Sequence, residues 1–298
     1  MAEREGDDVA DDATDWAGLT VWITGASSGI GEALAREAAA RGAALILSGR
    51  RVEALDRVAR DIAGDALVLP FEATDYDALP YVVEAALAWR GGVDLLINNA
   101  GVSQRSLAVD TRFEVYRDLM EIDFFAPLRL TQLVLPDMIA KGRGHVAVIS
   151  SVAGKVGTPL RTGYSAAKHA CIGYFDALRA ELEASCGVRV TTIMPGYVQT
   201  NVSANALTGD GSPLGTTDGN IAAGIDPAVA AKVIVDGLAA GAREIVIAGE
   251  QESQALTLRA NAPELLFDIL SGEGARLMAA RGSDGPNATL SADLVTKA

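Results

Sequence analysis

The chain has 298 residues, 49% of them hydrophobic and 21% charged, which allows one large domain or two small ones with a sizeable core. Its net charge of −14 argues against nucleic acid and anionic membranes as partners, and no apolar run approaches the roughly 18 residues of a membrane span. The only cysteines, Cys171 and Cys186, fall in or near one predicted helix, which does not suit a disulfide and favours the reducing cytoplasm.

Residues 1–16 are interpreted as a disordered acidic arm. Residues 1–15 carry seven acidic side chains and one arginine, and they lack the apolar core of a signal peptide. At the other end, the Ser, Gly, Asn and Asp residues of 283–298 predict a flexible tail. A single folded domain is therefore expected at 17–282.

Within this domain, apolar runs of strand length alternate with longer helical patterns. This alternation is typical of a parallel sheet with helices on both faces. Strands are predicted near 19–24, 44–48, 66–70, 93–98, 145–150, 188–194 and 243–248. Helices are predicted near 29–42, 51–62, 75–90, 111–141, 162–185, 227–240 and 251–281. We therefore predict an α/β fold with one doubly wound, Rossmann-type sheet of seven parallel strands.

A glycine-rich turn follows the first predicted strand and opens the first predicted helix. Its glycines allow a tight turn and the close approach of a phosphate, and a helix N-terminus favours an anion. The spacing is not the common G-x-G-x-x-G, but the strand before it and the helix after it predict a dinucleotide site. The expected cofactor-binding residues are Gly25, Ser27, Ser28, Gly29, Ile30 and Gly31.

The end of the second predicted strand indicates which dinucleotide binds. An NAD site places a carboxylate here to accept from the ribose hydroxyls. This chain instead has Arg50 and Arg51, whose guanidinium groups suit a 2′-phosphate. We predict NADP(H) rather than NAD(H), with Arg50 as the principal ligand and Arg51 as the second. The alternative is that both arginines only flank the strand and begin a solvated helix.

The fourth predicted strand ends in Asn98-Asn99-Ala100-Gly101. Two amides at a buried strand end need hydrogen-bond partners. Asn98 is expected to tie neighbouring strands together, and Asn99, Ala100 and Gly101 are expected to run beside the adenosine ribose.

Tyr164 and Lys168 stand four residues apart, which places them one turn apart on one helix face. A lysine ammonium beside a phenol favours the phenolate and lowers its pKa from about 10. Such a phenol can exchange a proton with a carbonyl or alcohol oxygen near neutral pH. Ser151, at the end of the fifth predicted strand, can hydrogen-bond the same oxygen. These three residues are the predicted catalytic centre.

Together these motifs resemble the classical short-chain dehydrogenases/reductases, over residues 19–250. The likeness extends to Pro195, Gly196 and Thr200 after the sixth predicted strand. The segments around Ser151, Tyr164 and Pro195 are similar in most detail to the family's member 7B branch. Members of that branch often carry an N-terminal membrane anchor, which we do not carry over because this chain has an acidic arm there.

The resemblance implies a role for each matching residue. Tyr164 is the expected proton donor in reduction, Lys168 lowers its pKa and holds the nicotinamide ribose, and Ser151 orients the substrate oxygen. The nicotinamide amide and the pyrophosphate are expected at Pro195, Gly196, Val198 and Thr200. The family's habit of assembly implies a homodimer or homotetramer through the helices at 111–141 and 162–185.

Two residues depart from the family's pattern. Asp123 stands in the fourth catalytic position, where the family usually has an asparagine whose backbone carbonyl holds a water on the way to the lysine. That backbone role could survive, but a carboxylate could also pair with Lys168 and weaken its effect on Tyr164. Glu72 replaces a common aspartate near the adenine, and Ala73 beside it belongs to the same expected contact.

The predicted activity is the NADP(H)-dependent interconversion of a ketone or aldehyde with an alcohol. A long glycine-rich loop at 196–226 and the segment 102–110 are expected to shape the substrate pocket. Their apolar residues suggest a hydrophobic small molecule; these are Val102, Leu107, Val202, Leu207 and Leu214. The first alternative is a weakly catalytic or non-catalytic NADP(H)-binding sensor or scaffold, and epimerase or dehydratase chemistry is a further one. No metal is predicted, because neither histidine has metal-like partners nearby.

Overall fold

Seven parallel strands form one sheet in the order β3-β2-β1-β4-β5-β6-β7. The computed structural model describes residues 15–281 and 290–291, so nearly all of the predicted arm and tail lies outside the described residues. The strands are β1 Thr20–Thr24, β2 Ala44–Ser48, β3 Ala66–Val68, β4 Leu95–Asn98, β5 Gly144–Ile149, β6 Val188–Pro195 and β7 Glu244–Ile247. The predicted doubly wound sheet of seven strands is confirmed.

Helices cover both faces of the sheet. They are α1 Gly29–Ala40, α2 Val52–Asp61, α3 Leu79–Ala88, α4 Phe113–Met120, α5 Ala126–Lys141, α6 Thr162–Cys186, α7 Gly219–Ala222, α8 Pro227–Ala239, α9 Glu250–Asn261 and α10 Pro263–Ala279. Over residues 15–281 and 290–291, none of these helices is long and apolar enough to span a membrane.

Successive residues of each strand point to opposite faces of the sheet, and each face has its own core. On one face, Ile23 of β1 packs in a cluster with Leu34 of α1 and Ile234 of α8. On the other, Trp22 packs in a cluster with Phe175 of α6 and side chains of α3 and α5. Because both faces are covered, the central strands are apolar without alternation, which is why their positions could be predicted.

Two long predicted helices are interrupted in the structure. The one expected at 111–141 is divided between α4 and α5 by a π-helical segment, Glu121–Phe125. The one expected at 251–281 is divided at Ala262, whose φ of −146° is not helical. The cause is Pro263, which disfavours the helical conformation in the residue before it and begins α10.

Candidate active site

The predicted motifs meet at the carboxyl edge of the sheet. They follow β1, β4, β5 and β6, which are neighbours in the sheet order, so their last residues lie side by side. In an open parallel sheet this edge is where ligands bind.

The turn after β1 is built so that only glycine fits at two of its positions. Gly25 has a φ of +67°, in the left-handed region. A Cβ added to Gly31 would lie 2.3 Å from the Gly25 carbonyl oxygen and 2.5 Å from Nδ2 of Asn99. The N-terminus of α1 is thereby drawn against the ends of β1 and β4, which leaves a small-residue cradle suited to a phosphate.

Asn99 fastens the end of β4 to the end of β1. Its Nδ2 donates to the Thr24 carbonyl oxygen at 2.8 Å, and its backbone N–H donates to Oγ1 of Thr24 at 3.0 Å. The N–H of Ala100 donates to the same Oγ1 at 3.0 Å. The prediction that Asn98 ties the strands together was wrong, because its Nδ2 donates to Thr131 of α5 and Asn99 makes the tie.

The two arginines after β2 lie in different places. Nη2 of Arg51 donates to the hydroxyls of Ser27 and Ser28 at 2.9 Å and 2.7 Å, so its guanidinium lies on the glycine turn. The Arg50 side chain is 71% exposed and lies 3.6 Å from the carboxylate of Glu72. Arg51, the second choice from the sequence, is therefore the arginine that the structure brings to the turn.

Further residues of the expected cofactor site surround this turn. Ala73 and Ala100 line one pocket together with Thr24, Phe71 and Ile122. Thr200 lies against the turn from the far side, since a Cβ added to Gly29 would be 3.1 Å from its Cγ2. The N–H of Tyr197 donates to Oε1 of Glu252 in α9 at 2.8 Å, which fixes the chain after Gly196. Val198 bridges to Ile225 at the far end of the 196–226 loop.

Tyr164 and Lys168 of α6 lie beside the end of β5, from which Ser151 follows. Lys168 is buried, its Nζ donates to the Ile149 carbonyl oxygen at 3.1 Å, and it lies 5.6 Å from the centre of the Tyr164 ring. The Ser151 hydroxyl donates to the Pro195 carbonyl oxygen at 3.2 Å. A lysine with three N–H donors keeps further donors for a ligand beside the phenol.

Asp123 is buried next to Lys168. Its Oδ1 accepts from the Val102 N–H at 2.8 Å and lies 3.9 Å from Nζ of Lys168, while its buried Oδ2 has no hydrogen-bond partner among the described residues. Burial raises the pKa of Asp123, and the Lys168 ammonium and the Val102 N–H oppose that shift. Burial alone would lower the pKa of Lys168, but Asp123, Tyr164 and Cys171 together outweigh it, Asp123 most of all, so that pKa is raised.

Sequence reasoning missed the contacts of two side chains. The thiol of Cys171 donates to the Asp123 carbonyl oxygen at 2.9 Å, within the π-helical segment. Oε1 of Gln104 accepts from the N–H groups of Gly163 and Tyr164 at 2.7 Å and 3.2 Å, which caps the N-terminus of α6. The only sequence signal for Gln104 was its place in the segment 102–110, expected to shape the pocket.

The 196–226 loop is docked onto the segment after β4. Leu207 bridges to Gln104 in parallel. Arg105 and Asp218 form an ion pair whose side chains are 3% and 1% exposed. Burial, followed by repulsion from Arg161, lowers the pKa of Arg105 to about 10 despite the opposing effect of Asp218. The loop is therefore anchored at a charged contact near α6.

Comparisons with known proteins agree with this geometry. The family model described as short chain dehydrogenase matches residues 19–210. "Dehydrogenase/reductase SDR family member 7B" of Mus musculus is 40% identical over 258 residues, covering 84% of this chain and 80% of the mouse protein. Its counterpart in Danio rerio is 41% identical over 260 residues, covering 84% of each chain.

Solved structures show the same fold. A short-chain dehydrogenase of Streptomyces avermitilis is 30% identical with a TM-score of 0.71, covering 90% of this chain and 99% of its own. A short-chain dehydrogenase of Burkholderia cenocepacia, solved in complex with NADP, is 24% identical with a TM-score of 0.73, covering 86% of this chain and 99% of its own. The chain described here belongs to the short-chain dehydrogenase/reductase family of oxidoreductases.

Proposed function

We propose that this chain is an NADP(H)-dependent oxidoreductase that interconverts a ketone or aldehyde with an alcohol, with Tyr164 as general acid and base. The observation that carries the proposal is the position of Lys168 between the Tyr164 ring and the Ile149 carbonyl at the end of β5, from which Ser151 follows. A bound nicotinamide supplies or takes up the hydride. In reduction, the Tyr164 hydroxyl gives its proton to the carbonyl oxygen, and in oxidation the phenolate takes it back.

The other residues of the site position the substrate and the cofactor and polarise the substrate oxygen. Ser151 has a hydroxyl that can turn from the Pro195 carbonyl to the substrate oxygen, where it stabilises developing negative charge. Lys168 is fixed by the Ile149 carbonyl, so its remaining N–H donors can hold ribose hydroxyls and keep a positive charge beside the phenol. Gln104 holds the first turn of α6 and with it the backbone of Tyr164.

The preference for NADP(H) is supported by the position of Arg51 on the glycine turn. Its guanidinium bonds two serine hydroxyls that a 2′-phosphate could replace or share. One structural relative was solved with NADP and another, from Burkholderia phymatum, with NAD, so the arginines of this chain are the discriminating feature. Arg51→Ala should weaken NADPH binding about tenfold or more and leave NADH binding unchanged. Arg50→Ala is the matched control, and equal effects of both variants would refute the assignment to Arg51.

We further propose a hydrophobic substrate and a homodimeric or homotetrameric assembly. Phe113 of α4 and Ile139 of α5 are apolar and exposed, which supports association through these helices. The support for a hydrophobic substrate comes from fewer residues than the sequence suggested. Leu107, one of the apolar residues expected in the pocket, packs instead against Leu160 and Leu277. The test of assembly is the mass in solution.

A second candidate function is a non-catalytic NADP(H)-binding protein, favoured by the pairing of Lys168 with Asp123. The two are separated by measuring NADPH binding by fluorescence and NADPH oxidation against a panel of ketones and aldehydes. For the reductase, Tyr164→Phe should lower kcat by at least about 100-fold, the low end for a lost general acid, with NADPH binding retained. Near-normal turnover by Tyr164→Phe would refute the role of Tyr164, and binding without turnover on any substrate would favour the second candidate.

A further inference from the structure

Asp123 places a carboxylate in the site, although its hydrogen bonding does not require a negative charge. Its one hydrogen bond, from the Val102 N–H to Oδ1, could be accepted equally well by an asparagine side-chain oxygen. Oδ2 is buried and has no partner among the described residues. An amide would leave the same backbone contact in place, so the negative charge itself requires an explanation.

That charge acts on Lys168 at short range. Oδ1 of Asp123 and Nζ of Lys168 are 3.9 Å apart and both side chains are almost fully buried, so water does not screen the interaction. A Cβ added to Gly101 would lie 2.7 Å from Oδ1 of Asp123 and 3.3 Å from Nζ of Lys168, which shows how tightly the backbone encloses the pair.

Among the described residues, two further titratable groups have a recorded interaction with the pair. Tyr164 and Cys171 of α6 both interact electrostatically with Lys168. Cys171 carries no charge at neutral pH, because burial raises the pKa of its thiol to about 11. The charges nearest Tyr164 in this set are therefore one ammonium and one carboxylate, which oppose each other in their effect on the phenol.

We propose that Asp123 tunes the charge of the site: by offsetting the Lys168 ammonium it favours the phenol form of Tyr164 over the phenolate and biases the enzyme toward carbonyl reduction. Reduction requires a proton on the Tyr164 oxygen, whereas oxidation requires the phenolate. The inference rests on the proposed function, because it assigns a preferred direction to the same site.

The test compares Asp123→Asn with the wild-type enzyme in both directions over a range of pH. Removing the negative charge should move the basic limb of the pH–rate profile for reduction, and the rising limb of the profile for oxidation, to lower pH by about one unit, the low end of the shift that a neighbouring charge produces. At pH values just below the rising limb of the wild-type profile, the rate of oxidation should increase about tenfold for each pH unit by which the limb is displaced. Limbs that coincide with those of the wild type would overturn the proposal.

Glu121→Gln is the matched control, since it neutralises a carboxylate of the same π-helical segment that bonds the Tyr76 hydroxyl instead of Lys168. Its profile should match the wild type, and an equal displacement would contradict the proposal.

A spectroscopic readout separates this proposal from the proposed function. The ultraviolet difference spectrum between wild type and Tyr164→Phe reports phenolate at Tyr164 without any turnover, and for the wild type it does so without the Asp123→Asn variant having to fold. Phenolate that forms at a lower pH in Asp123→Asn than in the wild type supports the proposal, and phenolate already present in the wild type at neutral pH overturns it. Absence of turnover in the wild type would instead count against the proposed function alone.

Discussion

The buried ion pair between Arg105 and Asp218 should hold the 196–226 loop in place, and its removal should be among the most destabilising single changes in the chain. Removing one partner of a buried pair leaves the other charge unpaired, which costs about 3–5 kcal/mol. Arg105 is 2% exposed and its Nη1 already has no partner among the described residues, so it has little means of compensation. We expect Asp218→Asn to lower the free energy of unfolding by about 3 kcal/mol.

Two further variants separate the loss of the charge on Asp218 from the loss of its helix cap. Oδ1 of Asp218 also accepts from the Asn220 N–H at 2.8 Å and caps α7, a contact that asparagine preserves and alanine removes. Asp218→Ala should therefore lose about 1 kcal/mol more than Asp218→Asn. Asp226→Asn is the control, because Asp226 caps α8 through the Ala228 N–H and belongs to the same loop. It should stay within about 0.5 kcal/mol of the wild type.

The assay is equilibrium unfolding in urea followed by circular dichroism, with amide hydrogen exchange across 196–226. Exchange in the loop should accelerate in Asp218→Asn and stay unchanged in Asp226→Asn. If Asp218→Asn unfolds within about 0.5 kcal/mol of the wild type and the loop keeps its protection, the reasoning about the buried pair is refuted.

Two other predictions concern pH and the capping of α6. Burial lowers the pKa of His145 to about 3, so the unfolded chain binds its proton first and stability falls as the pH drops below about 6.5. His145→Gln should remove about 2 kcal/mol of the loss between pH 7.5 and pH 5, measured by urea unfolding at both values, and an unchanged loss would contradict it. Gln104→Leu leaves the N–H groups of Gly163 and Tyr164 without their acceptor and should destabilise the protein by about 1–3 kcal/mol. It should also lower kcat more than it raises KM, whereas Gln104→Glu, which keeps the acceptor, should restore most of kcat.

The positions of the strands could be predicted because buried parallel strands are continuous apolar runs bounded by turn residues. The glycine turn could be predicted for a similar local reason, since close approach of Gly31 to neighbouring backbone excludes every larger residue. Both signals lie in residues close together in the chain.

What could not be predicted depends on contacts between distant segments. Arg50 and Arg51 are adjacent and chemically identical, so residue type does not tell which one reaches the glycine turn; in the structure it is Arg51, at the N-cap of α2. The capping role of Gln104 depends on where α6 begins, some sixty residues later. The break at Ala262 was the exception, because Pro263 was a sequence signal that the helical pattern obscured.

The number of residues in the π-helical segment Glu121–Phe125 fixes how far α5 is rotated about the helix axis relative to α4. Each residue in an α-helix turns the chain by about 100°, so deleting one residue here would rotate α5 relative to α4 by roughly that angle. The rotation would carry either Asp123 away from Lys168 or the buried face of α5, with Leu130 and Val134, away from the sheet. The length of this segment is thus a constraint on insertions and deletions: any homologue or chimera that joins α4 to α5 must keep the residue count, whatever its side chains are.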